Sequence, residues 1–165
     1  MNRNVSLPGR VLAQLTRIKN NLLWLPPLLA RITIGVVFVQ SGWGKLHDLP
    51  SIVEFFRTLG IPAPQIQAPM VATIELTCGC LVLGGLLTRF ASIPLIGTMV
   101  VAIITAKQED FHGWTSVFGF SEFLYIVLLT YLIMEGAGAL SVDRWFTRGW
   151  ELEAKMSRAA TPALV

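Results

Sequence analysis

The stretch LLARITIGVVFVQSGWGKL, Leu28–Leu46, decides the fold. Arg31 and Lys45 are its only formal charges, and its length is close to the roughly 20 apolar residues that a bilayer crossing requires. Three more stretches read the same way, over Ala68–Leu87, Phe90–Ala106 and Phe118–Gly136. The expected class is therefore an all-α integral membrane protein, a four-helix bundle flanked by interfacial amphipathic helices. Composition agrees: 53% of the 165 residues are hydrophobic and 14% are charged, against about 25% charged in a soluble domain. Mean hydropathy is +0.62. The spans leave room for short connections and two tails, so chemistry must lie inside the bundle or on a partner.

The net charge of +3 invites a nucleic-acid reading, which the placement of the charges opposes. Arg3, Arg10, Arg17 and Lys19 precede the first span, Arg89 lies in the second connection, and Arg144, Arg148, Lys155 and Arg158 follow the last. The other side carries Lys45, Arg57 and Lys107. This is the positive-inside pattern, and it places both termini in the cytoplasm, where basic tails meet anionic lipid. The expected partners are membrane lipids, with a protein partner or a further copy of the chain, and no nucleic acid.

The chain divides into a cytoplasmic amphipathic N-terminal segment (1–25), a four-helix transmembrane domain (26–138) and an interfacial C-terminal tail (139–165). Val11, Leu15, Ile18 and Leu22 recur at helical spacing in the first part. With Arg31 inside the apolar segment and no small-residue cleavage site, this reads as an uncleaved anchor rather than a signal peptide. Pro26 and Pro27 suit the first turn of span one. Pro50–Gly60 is too short and too polar to span and reads as an interfacial helix. Pro62, Pro64 and Pro69 punctuate the approach to span two, and the tight join at Leu87-Thr88-Arg89 makes spans two and three an antiparallel hairpin.

Charges inside a span cost about 2.5–3.5 kcal/mol near its centre, so those present mark places where something polar is held. Arg31, Gly35, Phe38, Gly42 and Lys45 share one face of span one, and the two glycines on it permit close helix approach. Arg31 either snorkels to the near surface or forms a structural polar pair with Glu135, expected at similar depth on span four. Glu75 lies roughly 10 Å inside span two at 1.5 Å per residue and must face the bundle interior. Lys45 from span one and Glu122 from span four reach the same level, with Gln40 and Ser41 as further hydrogen-bonding groups. Glu75, Lys45 and Glu122 are the candidate catalytic residues, and Gln40, Ser41, Lys45 and Glu75 the candidate cofactor-binding set. The cluster reads either as a clamp that fixes helix packing or as a site that binds a polar headgroup or relays protons, since two neighbouring carboxylates raise one proton affinity.

Other features carry less. Cys78 and Cys80 point about 200° apart on a helix, do not form a C-x-x-C motif, and read as apolar filler or as thiols for a partner. His47 and His112 fall in connections without metal-ligand spacing, so no metal site is expected. The spans contain no histidine, which argues against a bis-histidine haem held between them. No phosphate loop or dinucleotide fingerprint is present, so no nucleotide is expected.

Several of these pieces together resemble the DoxX family of small bacterial membrane proteins. They are Arg31-Ile32-Thr33-Ile34-Gly35, Phe38, Ser41-Gly42 and Lys45; Gly60-Ile61-Pro62; Glu75, Gly79, Leu83-Gly84, Thr88-Arg89 and Ala91; and Gly136-Ala137-Gly138-Ala139-Leu140-Ser141-Val142-Asp143. The resemblance covers most of the chain outside its tails. It implies a four-helix bundle in the bacterial inner membrane, and a link to quinone-coupled thiosulfate oxidation through the related DoxD-type subunit or to complexes handling thiol and oxidative stress. The function that follows is a quinone-linked membrane subunit of a redox system, with quinone the expected cofactor. The alternatives are a non-catalytic membrane anchor or assembly subunit for a partner enzyme, and a small-solute or proton transporter.

The topology predicts that a single cysteine placed at Asp110 is labelled by a membrane-impermeant maleimide from the periplasmic side of intact cells. Labelling only after the cytoplasm is opened would invert the chain.

Overall fold

The computed structural model describes residues 22–107, 113, 115–138 and 141–143. The amphipathic N-terminal segment, His112 with Glu109 and Asp110, and the C-terminal aromatic and basic tail lie outside, apart from the residues just named. Five α-helices are described: α1 (Leu25–His47), α2 (Leu49–Thr58), α3 (Pro64–Gly84), α4 (Thr88–Ala106) and α5 (Ser121–Glu135), with a single 3-10 turn (Ser116–Gly119) before α5.

Local sequence sets the boundaries. Pro26 and Pro27 occupy the first turn of α1, where a missing N–H costs nothing. Lys45 stands in its last turn, where a cation offsets the partial negative charge of the free carbonyls. α3 starts earlier than the apolar pattern indicated. Ala63 takes a left-handed conformation, Pro64 opens the helix, and Pro69, expected to precede the span, lies inside it. The first turn of α3 tolerates Pro64 because an N–H there would have no intrahelical partner, whereas Pro69, sixth in the helix, removes the bond to the Gln65 carbonyl.

Helices α1, α3 and α4 are long and apolar enough to cross a membrane. The fourth expected span is shorter than its hydropathy suggested. Phe120 is extended, so α5 begins at Ser121 rather than Phe118 and has 15 residues, about 22 Å of helix against a core of about 30 Å. It nevertheless closes the bundle. α1 packs most extensively on α3, α4 packs on α5, and contacts of α3 with α4 and of α1 with α5 complete the ring.

The α1–α3 contact is antiparallel and unusually close. A Cβ built on Gly42 would sit 2.4 Å from the Leu76 nitrogen and 2.8 Å from the Ala72 carbonyl oxygen. One on Gly79 would sit 2.9 Å from the Val39 nitrogen. Backbone meets backbone at both places, so only glycine fits. Buried Ala68 and Ala72 extend this small-residue seam toward the Lys45 end. The opposite half is filled by Ile34, Phe38, Val82, Leu95, Leu129 and Leu132, all fully buried. Large side chains therefore pack the Arg31 half, and the Lys45 half is left less filled.

Gly42→Ala should lower the thermal unfolding temperature in detergent, with an overpacking cost of about 1–3 kcal/mol. Gly44→Ala, with nothing within 4 Å of the new methyl group, should be neutral or stabilising, since alanine in a helix is favoured over glycine by about 1 kcal/mol. Equal behaviour of the two variants would show that the close crossing does not hold the bundle together.

Candidate functional site

Two helices at a tight crossing bring a carboxylate and a cation together. Glu75, on α3 one residue from the Gly42 contact, is 1% exposed. Its Oε1 and Oε2 accept from Lys45 Nζ at 2.6 and 2.5 Å, and Ser41 Oγ donates to Oε2 at 2.8 Å. Ser41 and Lys45 are one helical turn apart on α1 and address the same carboxylate. The Lys45 side chain is 25% exposed and forms the outward-facing side of the pair. A buried carboxylate needs such compensation, because an unpaired charge in a low-dielectric interior is costly.

The structure places the remaining expected members differently. Gln40 is exposed on α1 and outside the cluster. It lies about 200° around the helix from buried Phe38 and Gly42, so the face that presents Ser41 and Lys45 turns it away. Glu122 comes to the same region without bonding to either partner. It stands in the first turn of α5 and accepts from Ser121 Oγ at 3.2 Å. The late start of α5 puts this carboxylate at a helix N-terminus, which favours negative charge.

Ser41, Lys45, Glu75 and Glu122 all line one cavity of about 460 Å³ in the Lys45 half. Its other walls are overwhelmingly apolar, and Tyr125 of α5 adds a hydroxyl-bearing ring that meets Phe38 edge-on at 6.1 Å. α2 lies over it: Ile52, Phe55, Phe56 and Leu59 line the cavity at helical spacing, while Glu54 and Arg57 pair with each other on the exposed side. The sequence marked α2 as interfacial but gave no sign that its apolar face roofs a cavity. Tyr125 was also missed, although its position one turn from Glu122 puts the two on one face.

Arg31 forms a second polar centre at the other end, in a different manner from that expected. It is 4% exposed, and its Nη1 donates to the Ala137 carbonyl at 2.7 Å. Gly85 presses on it so closely that a Cβ there would sit 2.3 Å from Nη1. The acidic neighbour is Asp143, which acts on the guanidinium electrostatically. Asp143 also accepts from the Leu87 N–H at 2.9 Å and donates its own N–H to the Gly85 carbonyl. Glu135 makes no ion pair with Arg31 and is exposed. α5 ends at Glu135, and Gly136, at positive φ, turns the following carbonyls inward, so backbone oxygen rather than the Glu135 carboxylate reaches Arg31.

Cys78 is half-buried against the core and Cys80 is exposed; both are free thiols, as their angular separation on α3 requires. His47 is held by the Trp43 carbonyl, 2.9 Å from Nδ1. Among the described residues, no three His, Cys, Asp or Glu side chains converge as a metal site would require.

In detergent, Lys45→Ala or Glu75→Ala alone should destabilise by about 3 kcal/mol or more, by stranding the other charge. The double variant should lose less than the sum of the two. Glu135→Ala should stay within about 0.5 kcal/mol of wild type and be additive with Arg31→Ala. Coupling between Arg31 and Glu135 would contradict the geometry, as would additivity of Lys45 and Glu75.

Residues 27–108 match the sequence profile of the DoxX family. CatD of Bacillus subtilis, whose name assigns it provisionally to the oxidoreductases, is 33% identical over 124 residues, 74% of this chain and 87% of the relative. Rv3486 of Mycobacterium tuberculosis, named as an uncharacterized membrane protein, is 34% identical over 69% of this chain and 77% of its own. YqjF of Escherichia coli, named as an inner membrane protein, is 25% identical over 74% of this chain and 93% of its own. No solved structure matches. Apolar spanning helices, the profile match and these relatives establish the chain as a membrane protein that belongs to the DoxX family.

Proposed function

We propose that this protein is a quinone-linked inner-membrane subunit of a redox system that handles thiol, sulfur or oxidative-stress chemistry. The observation that carries the proposal is the buried Lys45–Glu75–Ser41 group set in the wall of an otherwise apolar cavity. The cavity volume of about 460 Å³ falls within the roughly 300–1,000 Å³ typical of small-molecule sites, which combine apolar walls with a few fixed polar groups. The donor set suits a quinone ring. A lysine ammonium has three N–H donors; two of Lys45's go to the Glu75 carboxylate, which leaves one for a neutral carbonyl oxygen. The oxidoreductase in the name of CatD points the same way.

A bound quinone supplies a two-electron acceptor that takes up two protons on reduction. The chain holds the means to handle protons beside it. Glu75 offers Oε1 and Oε2 at the cavity wall, and partly exposed Lys45 connects them to the bundle surface. Glu122, on the same cavity, is a second carboxylate for proton exchange. The apolar roof provided by α2 excludes water and strengthens these charge interactions. In this reading, electrons come from a protein partner. With both termini in the cytoplasm, as the charge asymmetry predicts, the Lys45 end faces the periplasm.

One observation favours the anchor reading instead. The Lys45–Glu75 bond spans the α1–α3 crossing beside Gly42, where a clamp would be placed. The two readings separate on one variant. Glu75→Gln should fold, retain quinone and lose turnover with the native partner by at least a hundredfold. A clamp would instead lose thermal stability while the folded fraction stays active. Mass spectrometry of the gently extracted native complex should find quinone bound. A stoichiometric protein partner without quinone would establish the anchor reading.

A further inference from the structure

We infer that the cavity is a lateral slot for a single-tailed neutral amphiphile, which enters from the bilayer between α3 and α4 and leaves its tail there. This deepens the quinone reading, on which the choice of headgroup rests; the slot itself follows from the shape and charge of the cavity.

The cavity opens on the side of the bundle. Its lining includes Phe55 of α2, Met70 of α3, and Gly97 and Val101 of α4, and all four are exposed on the outer surface. The opening is therefore bordered by α2, α3 and α4, and its rim is apolar. Gly97 is the tenth of the 19 residues of α4, so the opening reaches the middle of a spanning helix. At that depth the surroundings are hydrocarbon, and an apolar tail is the one kind of group that passes without desolvation cost.

Gly97 differs from the glycines of the α1–α3 seam. Those at 42 and 79 stand where another backbone approaches, whereas a Cβ on Gly97 would meet nothing within 4 Å. No helix packs on it, and the space it leaves belongs to the opening. Pro94, Thr98 and Ala102, spaced at i, i+4 and i+8, run beside it on α4, so the helix presents a strip of small or short side chains along the slot.

The polar end fixes the headgroup's character. Lys45 and Glu75 neutralise one another at 2.5 Å. An anionic head, such as that of a fatty acid, would find Lys45 already spent on Glu75 and would face Glu122 across the same space. A cationic head would compete with Lys45 for Glu75. A neutral head that accepts hydrogen bonds needs only the remaining ammonium N–H, with the Tyr125 hydroxyl nearby as a second polar group on the opposite helix. Head at the Lys45 end and tail at mid-membrane match the orientation of an isoprenoid quinone lying in one leaflet.

The test uses the full chain in lipid nanodiscs, with menaquinone-4 and its tail-less analogue menadione as probes. Binding is read as tryptophan quenching and as retained quinone by mass spectrometry. The variants are Gly97→Phe, which fills the opening without displacing a packed neighbour, and Ile93→Phe, exposed one turn before Gly97 on α4 but outside the cavity lining. Menaquinone-4 should lose at least tenfold in affinity in Gly97→Phe and be unchanged in Ile93→Phe, and menadione should lose less than threefold. Equal binding of menaquinone-4 by wild type and Gly97→Phe overturns the lateral slot while leaving the quinone reading intact. If neither quinone binds but a neutral single-tailed lipid such as monoolein is retained by wild type and lost in Gly97→Phe, the slot stands and the quinone reading fails. Retention of oleate in preference to monoolein overturns the neutral headgroup.

Discussion

The close crossing of α1 and α3 is the constraint on which the rest of the molecule depends. Association of helices in lipid gains little from burying apolar surface, because the surrounding chains are as apolar as the side chains. What remains is close packing and polar contact. Gly42 and Gly79 supply the first by letting backbones meet. The same closeness makes the second possible, since a short glutamate side chain on one helix reaches a hydroxyl and an ammonium on the other only when the axes are near. Separate α1 from α3 and Glu75 becomes a carboxylate without partners in a medium that penalises it by several kcal/mol.

The two ends of the bundle answer the same problem with different chemistry. At one end Arg31 is held by a backbone carbonyl past the end of α5 and by the charge of Asp143, whose own contacts tie the chain after α5 to the turn between α3 and α4. Leu87 adopts a left-handed conformation at that turn, at a cost of about 1–2 kcal/mol for a residue with a Cβ, and its N–H is the group that Asp143 binds. This end is knotted by hydrogen bonds, filled with large side chains, and built to stay closed. At the Lys45 end, the residues beyond the seam are small or stand back from one another, and α2 is laid across instead of a further span. A densely filled half stands beside a less filled one, the division that a binding site in a small bundle requires.

How much of this was legible in the sequence depends on whether the deciding feature is local. Glu75 was readable because a carboxylate within an apolar run has few tolerable environments, and Lys45 because its depth and direction follow from helix geometry. The family resemblance, carried by motifs such as Arg31–Gly35 and Glu75 with Gly79, also stood in the residues themselves, and the DoxX match over residues 27–108 agrees with it. The failures share a cause: each needed an exact helix end. Glu122 was placed one turn inside a span that begins three residues later than its hydropathy indicated. Glu135 was paired with Arg31 by depth alone, but α5 stops there and Gly136 redirects the chain so that Ala137 arrives first. Gln40 was included for its chemistry and excluded by one step around the helix. The cavity was beyond reach from sequence, because it is defined by what fails to meet between four helices and a fifth laid over them.

A buried ion pair that merely clamps two helices gains nothing from a cavity beside it. Wherever packing is the sole requirement, filling such space with larger side chains adds contacts at no evident cost, as the Arg31 half shows with Ile34, Leu95 and Leu129. In the other half α4 lines the cavity with Gly97, Thr98 and Ala102, and the largest apolar side chains near the opening, Phe55 and Phe56, belong to the short interfacial helix rather than to the spans. At the opening, α2 contributes the largest rings and α4 contributes small side chains. This arrangement keeps a polar group sheltered and reachable at once, and it follows from a site that must admit a molecule from the lipid more readily than from a bundle that needs only to hold together.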